Sequence, residues 1–278
     1  MNEVELSAGV IEYEDLGGPG PTVVFLHGLL MDETLWTAVA DELAPGHRCV
    51  IPVLPLGAHR KGMHAEADLS PLGIAALVAE FLDALDLRDV TLVGNDTGGV
   101  LVQLLMADGP SERISGAVLV SCDAFDNFPP GLTGRTLFLT GRLSPALFGL
   151  FMQQMRLKPV RRLPLAFGWL TKRGDATVKA WMRPIWRQPE IRRDTVRVLR
   201  AAAADPNLLT ATAEKLGRFD RPTLIVWAQD DRVMPPEHGR RLAELLPNAR
   251  LAEIEDSYTL VPLDQPTRLA AEIRRFLA

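Results

Sequence analysis

The stretch LVGNDTGGVL, Leu92–Leu101, sets an acidic side chain between two glycines. Gly94, one residue, Asp96, one residue, Gly98 is the spacing of a tight strand-to-helix turn that presents a reactive group. Glycines two residues to either side let strand and helix approach each other. The helix that begins at Gly98 points its N-terminus at the site, which favours negative charge there. A carboxylate in this seat does chemistry at carbon: it attacks an alkyl halide or an epoxide, or it takes a proton as a general base. Turnover through an aspartyl ester also needs a base that activates water, for which neutral imidazole, with a pKa of about 6.5, is the usual group.

The elements around this turn must hold it. Residues Val4–Leu6 and Val10–Tyr13 suggest an opening hairpin, and Gly17–Pro21 a turn. Thr22–His27, Arg48–Leu54, Asp89–Gly94 and Gly116–Ser121 are short apolar runs suited to strands buried on both faces. Between them lie helical stretches: Thr34–Leu43 capped by Asp32, a helix opened by Ser70 and Pro71 and running through Leu85, and Gly98–Ala107. The rhythm returns with a strand in Arg221–Asp230, a helix over Pro236–Leu246, a strand at Ala249–Ile254 and a terminal helix over Pro266–Leu277. Such alternation predicts an α/β fold with a mostly parallel sheet and helices on both faces.

Between the two parts, about 131–219, the pattern is helical without strands, which predicts a helical cap inserted into a core of residues 1–130 and 220–278. Charge marks the same segment. Gly131–Arg221 holds 18 Lys/Arg and 6 Asp/Glu, a net of +12, so the rest carries −17 of the overall −5. The segment Leu143–Leu170 is apolar and basic by turns. Three readings fit it: an apolar ligand tunnel with an arginine rim, a basic face at a membrane surface, or the insert's own packing face. Phe125, Phe128 and Trp181 are the aromatic side chains expected to line a pocket beneath it, with His27 and Asn95 from the core side.

FLHGLL (Phe25–Leu30), the Asp96 elbow and VWAQDDRVMP (Val226–Pro235), taken together, resemble the α/β-hydrolase fold over nearly the whole chain. The aspartate at the elbow resembles the haloalkane dehalogenase and epoxide hydrolase branch, where the carboxylate attacks carbon and forms an ester. The resemblance implies an oxyanion hole from the backbone amides of Leu29 and Thr97, and Asp231 as the acid of a triad. Asp123, after the strand at Gly116–Ser121, is an alternative acid. The family's histidine is expected after the last strand. There the chain reads LAEIEDSYTLVPLDQP (Leu251–Pro266), and Ser257-Tyr258 stands where the family has Gly-His. Tyr258 is therefore expected in the histidine's seat. A phenol, with a pKa of about 10, is a poor base at neutral pH. His59 and His64, in the loop Leu54–Ser70, are the candidates for a substitute base.

Other groups of the branch are also changed. Thr97 stands where dehalogenases usually carry a halide-binding Trp. The two tyrosines, Tyr13 and Tyr258, both lie outside the insert, where epoxide hydrolases usually keep a pair. The expected function is accordingly that of a hydrolase-family protein acting on a small, largely apolar molecule, with Asp96 as nucleophile or general base and a degenerate triad. A hydrolase using another base and a non-catalytic ligand-binding protein are the alternatives. Nothing in the sequence has nucleotide-binding, metal-ligand or nucleic-acid spacing, so no cofactor or metal is implied. A monomer or homodimer without stable membrane insertion is expected. Cys49 and Cys122 sit in strand contexts as buried thiols, which fits a reducing, cytoplasmic setting.

Overall fold

A computed structural model describes residues 1–109 and 112–278. In chain order the elements are β1 (Asn2–Leu6), β2 (Gly9–Asp15), β3 (Thr22–Leu26), α1 (Thr37–Leu43), β4 (Arg48–Pro52), α2 (Pro71–Ala84), β5 (Val90–Asn95), α3 (Thr97–Asp108) and β6 (Ile114–Val120). A helical stretch follows: α4 (Gly131–Thr140), α5 (Pro145–Met152), α6 (Lys158–Arg161), α7 (Asp175–Trp181), α8 (Arg183–Arg187), α9 (Pro189–Ala204) and α10 (Leu208–Leu216). The α/β pattern resumes with β7 (Thr223–Ala228), α11 (Pro236–Leu245), β8 (Ala249–Ile254), α12 (Val261–Asp264) and α13 (Pro266–Leu277).

The eight strands form one sheet in the order β1-β2-β4-β3-β5-β6-β7-β8. The β1–β2 hairpin and the β2–β4 pair are antiparallel, and every later pair is parallel. Sequence and structure agree on the cause. Val23–Leu26, Val90–Asn95 and Thr223–Ala228 are buried along their length, as apolar runs in the middle of a helix-covered sheet must be. Because β3 and β5–β8 run the same way, their C-terminal ends share one edge, and ligands of open α/β sheets bind at that edge.

Two elements differ locally from the sequence reading. Asp32 does cap a helical turn by accepting from the Thr34 amide, but that turn is a 3-10 segment over Glu33–Leu35, and α1 starts only at Thr37. The short α12 lies between the last strand and α13, where only a loop was expected. Between β6 and β7 the described elements are all helical, and the last of them, α10, packs against α3. No helix among the described residues is long and apolar enough to cross a membrane.

Candidate active site

Asp96 sits at φ 55°, ψ −128°, between the end of β5 and the start of α3. A non-glycine residue rarely adopts such a backbone, at a cost of about 1–3 kcal/mol, and the surrounding glycines show what enforces it. A Cβ at Gly94 would lie 2.4 Å from the Gly98 carbonyl oxygen, and one at Gly98 2.0 Å from that of Leu26. One at Gly99 would lie 2.3 Å from the Cys122 Cβ. The turn closes only with glycine at these places.

The Asp96 side chain divides its two oxygens. Oδ1 accepts from the Thr97 amide at 2.7 Å, the Thr97 hydroxyl at 3.0 Å and the Leu29 amide at 3.2 Å. The expected oxyanion-hole amides are therefore brought together, and they hold one oxygen of Asp96 itself. Gly28 makes this approach possible, since a Cβ there would fall 2.4 Å from Oδ1. None of the hydrogen bonds among the described residues reaches Oδ2. Burial pushes the Asp96 pKa up, opposed by the Thr97 and Leu29 amides.

Asp96 lies on the floor of a cavity of about 360 Å³. Leu29, Leu30, Thr97, Asp123 and Val233 complete the floor, and the walls come from Phe128, α4, and the stretch from Phe151 to Leu170. The lining is apolar but for Asp96, Asp123, a few threonines and Gln154, and it contains no histidine, lysine or arginine. Asp123 is buried with an unpartnered Oδ1. Its pKa is driven well above the carboxylate range, first by burial and then by the charges of Asp96 and Asp231.

Asp231 follows β7 as expected. Its Oδ1 accepts from the amides of Val233 at 2.9 Å and Met234 at 2.8 Å, and from the Thr259 hydroxyl at 2.8 Å, while Oδ2 is buried without a partner. Burial raises its pKa to about 6, against the pull of these bonds. The side chain beside this acid is thus Thr259, not Tyr258. The Tyr258 ring packs between the Lys172 ammonium, 4.9 Å from its centroid, and the Arg232 guanidinium at 4.7 Å, and it does not line the cavity. Two contacts fix this one-residue difference. The Tyr258 amide donates to Asp264 at 3.0 Å, and the carbonyl of fully buried Thr259 accepts from Asn95 at 2.8 Å. The sequence carries one signal for it: Thr259 leads directly into the apolar run Leu260–Leu263, and a hydroxyl buried with such a run needs a partner.

Several expected site residues serve the scaffold. His27 Nε2 accepts from the Leu54 amide at 2.9 Å, and Nδ1 lies 3.0 Å from the Gly28 carbonyl, so both nitrogens are occupied. Burial lowers its pKa to about 4, and it stays neutral. Asn95 spends its amide on the carbonyls of Val120, Ser121 and Thr259, which ties the loop after β8 to the sheet. Phe125 packs edge-on against His238 and under Arg241, and Trp181 donates to the Thr34 hydroxyl and packs on Phe167. Of the five residues expected to line the pocket, only Phe128 does so. His59 is buried, accepts from the Gly57 amide and faces Asp194 at 3.6 Å, whereas His64 is exposed beside Ser7 and Glu5. Neither imidazole lines the cavity, so neither replaces the missing base from where it stands.

The profile of the alpha/beta hydrolase fold family matches residues 21–266. The chain belongs to this family. A haloalkane dehalogenase of Mesorhizobium japonicum is 34% identical over 115 residues, covering 41% of this chain and 36% of that protein's length. An uncharacterized hydrolase of Bacillus subtilis is 24% identical over 96% of this chain and 94% of its own. The crystal structure of a proposed ancestral haloalkane dehalogenase superposes with a TM-score of 0.79 at 22% identity, covering 100% of this chain and 98% of that one. The alpha/beta hydrolase fold is thereby established, and the eight-stranded sheet agrees with it.

Proposed function

We propose that this hydrolase-family protein is an enzyme that moves a proton on a small, largely apolar molecule, with Asp96 Oδ2 as general base and Asp123 as proton donor. One observation carries the reading. The Asp96 carboxylate is anchored through Oδ1, its other oxygen is uncommitted, and the cavity that holds it contains a second carboxyl group and no imidazole. The two groups are suited to opposite roles. The amides of Leu29 and Thr97 and the N-terminus of α3 favour the anion at Asp96. Asp123 has no cationic or amide partner at Oδ1, so it keeps its proton. A carboxylic acid held neutral in an apolar site is a competent hydrogen-bond and proton donor. Ring opening, elimination or isomerisation of an apolar substrate needs such a pair and no water-activating base. In this reading the helices from α4 to α9 act as the cap, and Leu29 and Thr97 position the base instead of a substrate oxyanion.

The test is exchange from D₂O. The protein is incubated with a panel of apolar ketones, lactones, epoxides and alkyl halides, and deuterium uptake, product and intact protein mass are read from the same tubes. Deuterium uptake or rearranged product without a protein adduct, lost in Asp96→Asn, is the expected result. A persistent adduct on Asp96 would overturn it in favour of a nucleophile whose ester is not released.

Hydrolysis through such an ester is the second reading. It is favoured by the uncommitted Oδ2 of Asp96, which faces the cavity free to attack carbon. In that case hydrolysed product would appear without exchange into unreacted substrate.

A further inference from the structure

Large apolar side chains in contact with solvent are gathered in one part of this molecule. Of the ten such residues among those described, eight lie between Leu132 and Leu165. Scattered singly they would need no explanation, but clustered on one face they mark an interaction surface.

The helices of this segment are apolar on more than one side. In α5, Phe148, Gly149 and Met152 are buried against the neighbouring helices, while Leu147, Leu150 and Phe151, at helical spacing, face outward. A helix that is apolar all round belongs inside something, either protein or lipid. In α4, Leu132 and Leu139 lie seven residues apart on one outward face, while Thr133, Leu137 and Phe138 turn to the cavity. The Thr133 hydroxyl donates to the Pro164 carbonyl at 3.0 Å, which joins α4 to the loop carrying Leu163 and Leu165. Phe151, Leu163 and Leu165 are both exposed and part of the cavity wall. The mouth of the cavity therefore opens within the apolar patch.

The charge within the segment that carries the patch has a single sign. Residues 131–170 contain six Lys/Arg and no Asp/Glu. Arg161 is buried against Asp175 at 2.7 Å. Arg135, Arg142, Arg156, Lys158 and Arg162 are exposed, and none forms an ion pair among the described residues. A second copy docked through the same face would oppose cation to cation, since a twofold interface pairs a surface with itself. An anionic lipid surface complements both features, with acyl chains for the leucines and headgroups for the arginines.

We propose that residues 132–165 dock the protein on an anionic lipid surface with the cavity mouth against the bilayer, so that an apolar ligand enters from the lipid. The proposal is independent of the role given to Asp96.

Sedimentation with vesicles tests it. The full chain is mixed at low salt with vesicles of phosphatidylcholine containing about a third phosphatidylglycerol, and with phosphatidylcholine alone. Co-sedimentation with the anionic vesicles, weakened by salt, is expected. Leu139→Glu with Leu150→Glu, both exposed and outside the cavity wall, should abolish it without changing the melting temperature. Arg142→Gln with Lys158→Gln should weaken partitioning about 30-fold. The proposal is overturned if the wild type stays in the supernatant, or if either double variant binds as the wild type does. It is also overturned if analytical ultracentrifugation finds a dimer that the leucine variant dissociates and no vesicle binding.

Discussion

Replacing Asp231 with asparagine should stabilise the protein near neutral pH, with a gain that disappears in acid. The residue is half-buried with its Oδ2 shut off from solvent, and its pKa rises from the ordinary 3.8 to about 6 because burial penalises its charge. An acid whose pKa is raised on folding contributes stability that is complete below the unfolded pKa and is lost as pH rises through the folded one. Here the window runs from 3.8 to about 6. At about 1.4 kcal/mol per pH unit, the ionised fold at neutral pH has given up about 3 kcal/mol relative to a neutral side chain. Asparagine keeps an oxygen for the Val233 and Met234 amides and the Thr259 hydroxyl, and it never ionises. Its own packing changes shift stability equally at every pH, so they cancel when the difference between variant and wild type is compared at two pH values. Between about pH 4.5 and 7.5 that difference should move by about 2 kcal/mol in favour of Asp231→Asn, or roughly 4 °C in melting temperature for a chain of this size. Urea unfolding of both proteins at the two pH values measures it. A difference that is flat with pH, or one that moves the other way, would refute burial as the cause of the raised pKa.

Four further outcomes are expected. Gly28→Ala places a methyl group 2.4 Å from Asp96 Oδ1. It should break the Leu29 bond and cut turnover at least tenfold while the fold survives, as activity and circular dichroism together would show. Asp123→Asn should abolish proton donation without removing the side chain's bulk. In the pH–rate profile of the wild type, the acid limb should then belong to Asp96 and the alkaline limb to Asp123, and the variant should lack the alkaline limb. Thr259→His should set an imidazole beside Asp231, at about 1–3 kcal/mol of stability for overfilling a buried site. If Asp96 can be alkylated, this variant should release a hydrolysed product that the wild type does not, detectable by mass spectrometry of product and protein. Asn95→Leu removes the amide that holds the Thr259 carbonyl. It should lower stability by about 2–3 kcal/mol and loosen the loop after β8 in hydrogen exchange.

The frame was legible because it depends on patterns that few other folds share. Apolar runs of strand length alternating with capped helices specify the parallel sheet, and the glycines around Asp96 specify the elbow, down to the close backbone approaches found at Gly94 and Gly98. What lay beyond reach was set by side-chain direction in irregular segments. Tyr258 and Thr259 are neighbours, and spacing from β8 does not say which one turns inward. The Asp264 carboxylate decides it by accepting the Tyr258 amide, the Thr171 hydroxyl and the Lys172 and Arg173 amides, which orients the whole loop. Phe125 sits where the chain leaves the sheet for the insert and Trp181 within the insert, so position in the chain points both at a pocket. Their partners, His238 with Arg241 and Thr34 with Phe167, lie far from them in sequence. Position in the chain puts the two histidines of the loop before α2 near the site, whereas the His59 side chain faces Asp194 on α9 and lies outside the cavity lining.

The substitution of a hydroxyl for the imidazole has a consequence beyond losing a base. In an Asp–His–Asp arrangement the histidine can carry a positive charge between two carboxylates, so both can be ionised at little cost. Here Thr259 takes that place beside Asp231 and supplies no charge. No lysine, arginine or histidine lines the cavity either. Burial raises the pKa values of Asp96, Asp123 and Asp231 with nothing cationic among them, the charges of Asp96 and Asp231 raise that of Asp123 further, and the proton the imidazole would have held passes to a carboxyl group. Donors decide which one. Asp96 has two amides and a hydroxyl, and Asp231 has two amides and a hydroxyl. Asp123 accepts from no other residue among those described, and its pKa is driven well above the carboxylate range, so it holds the proton. Loss of the histidine thus does not leave a site that is merely inert. It turns a nucleophile with its base into an adjacent carboxylate and carboxylic acid, both opening on the same apolar cavity.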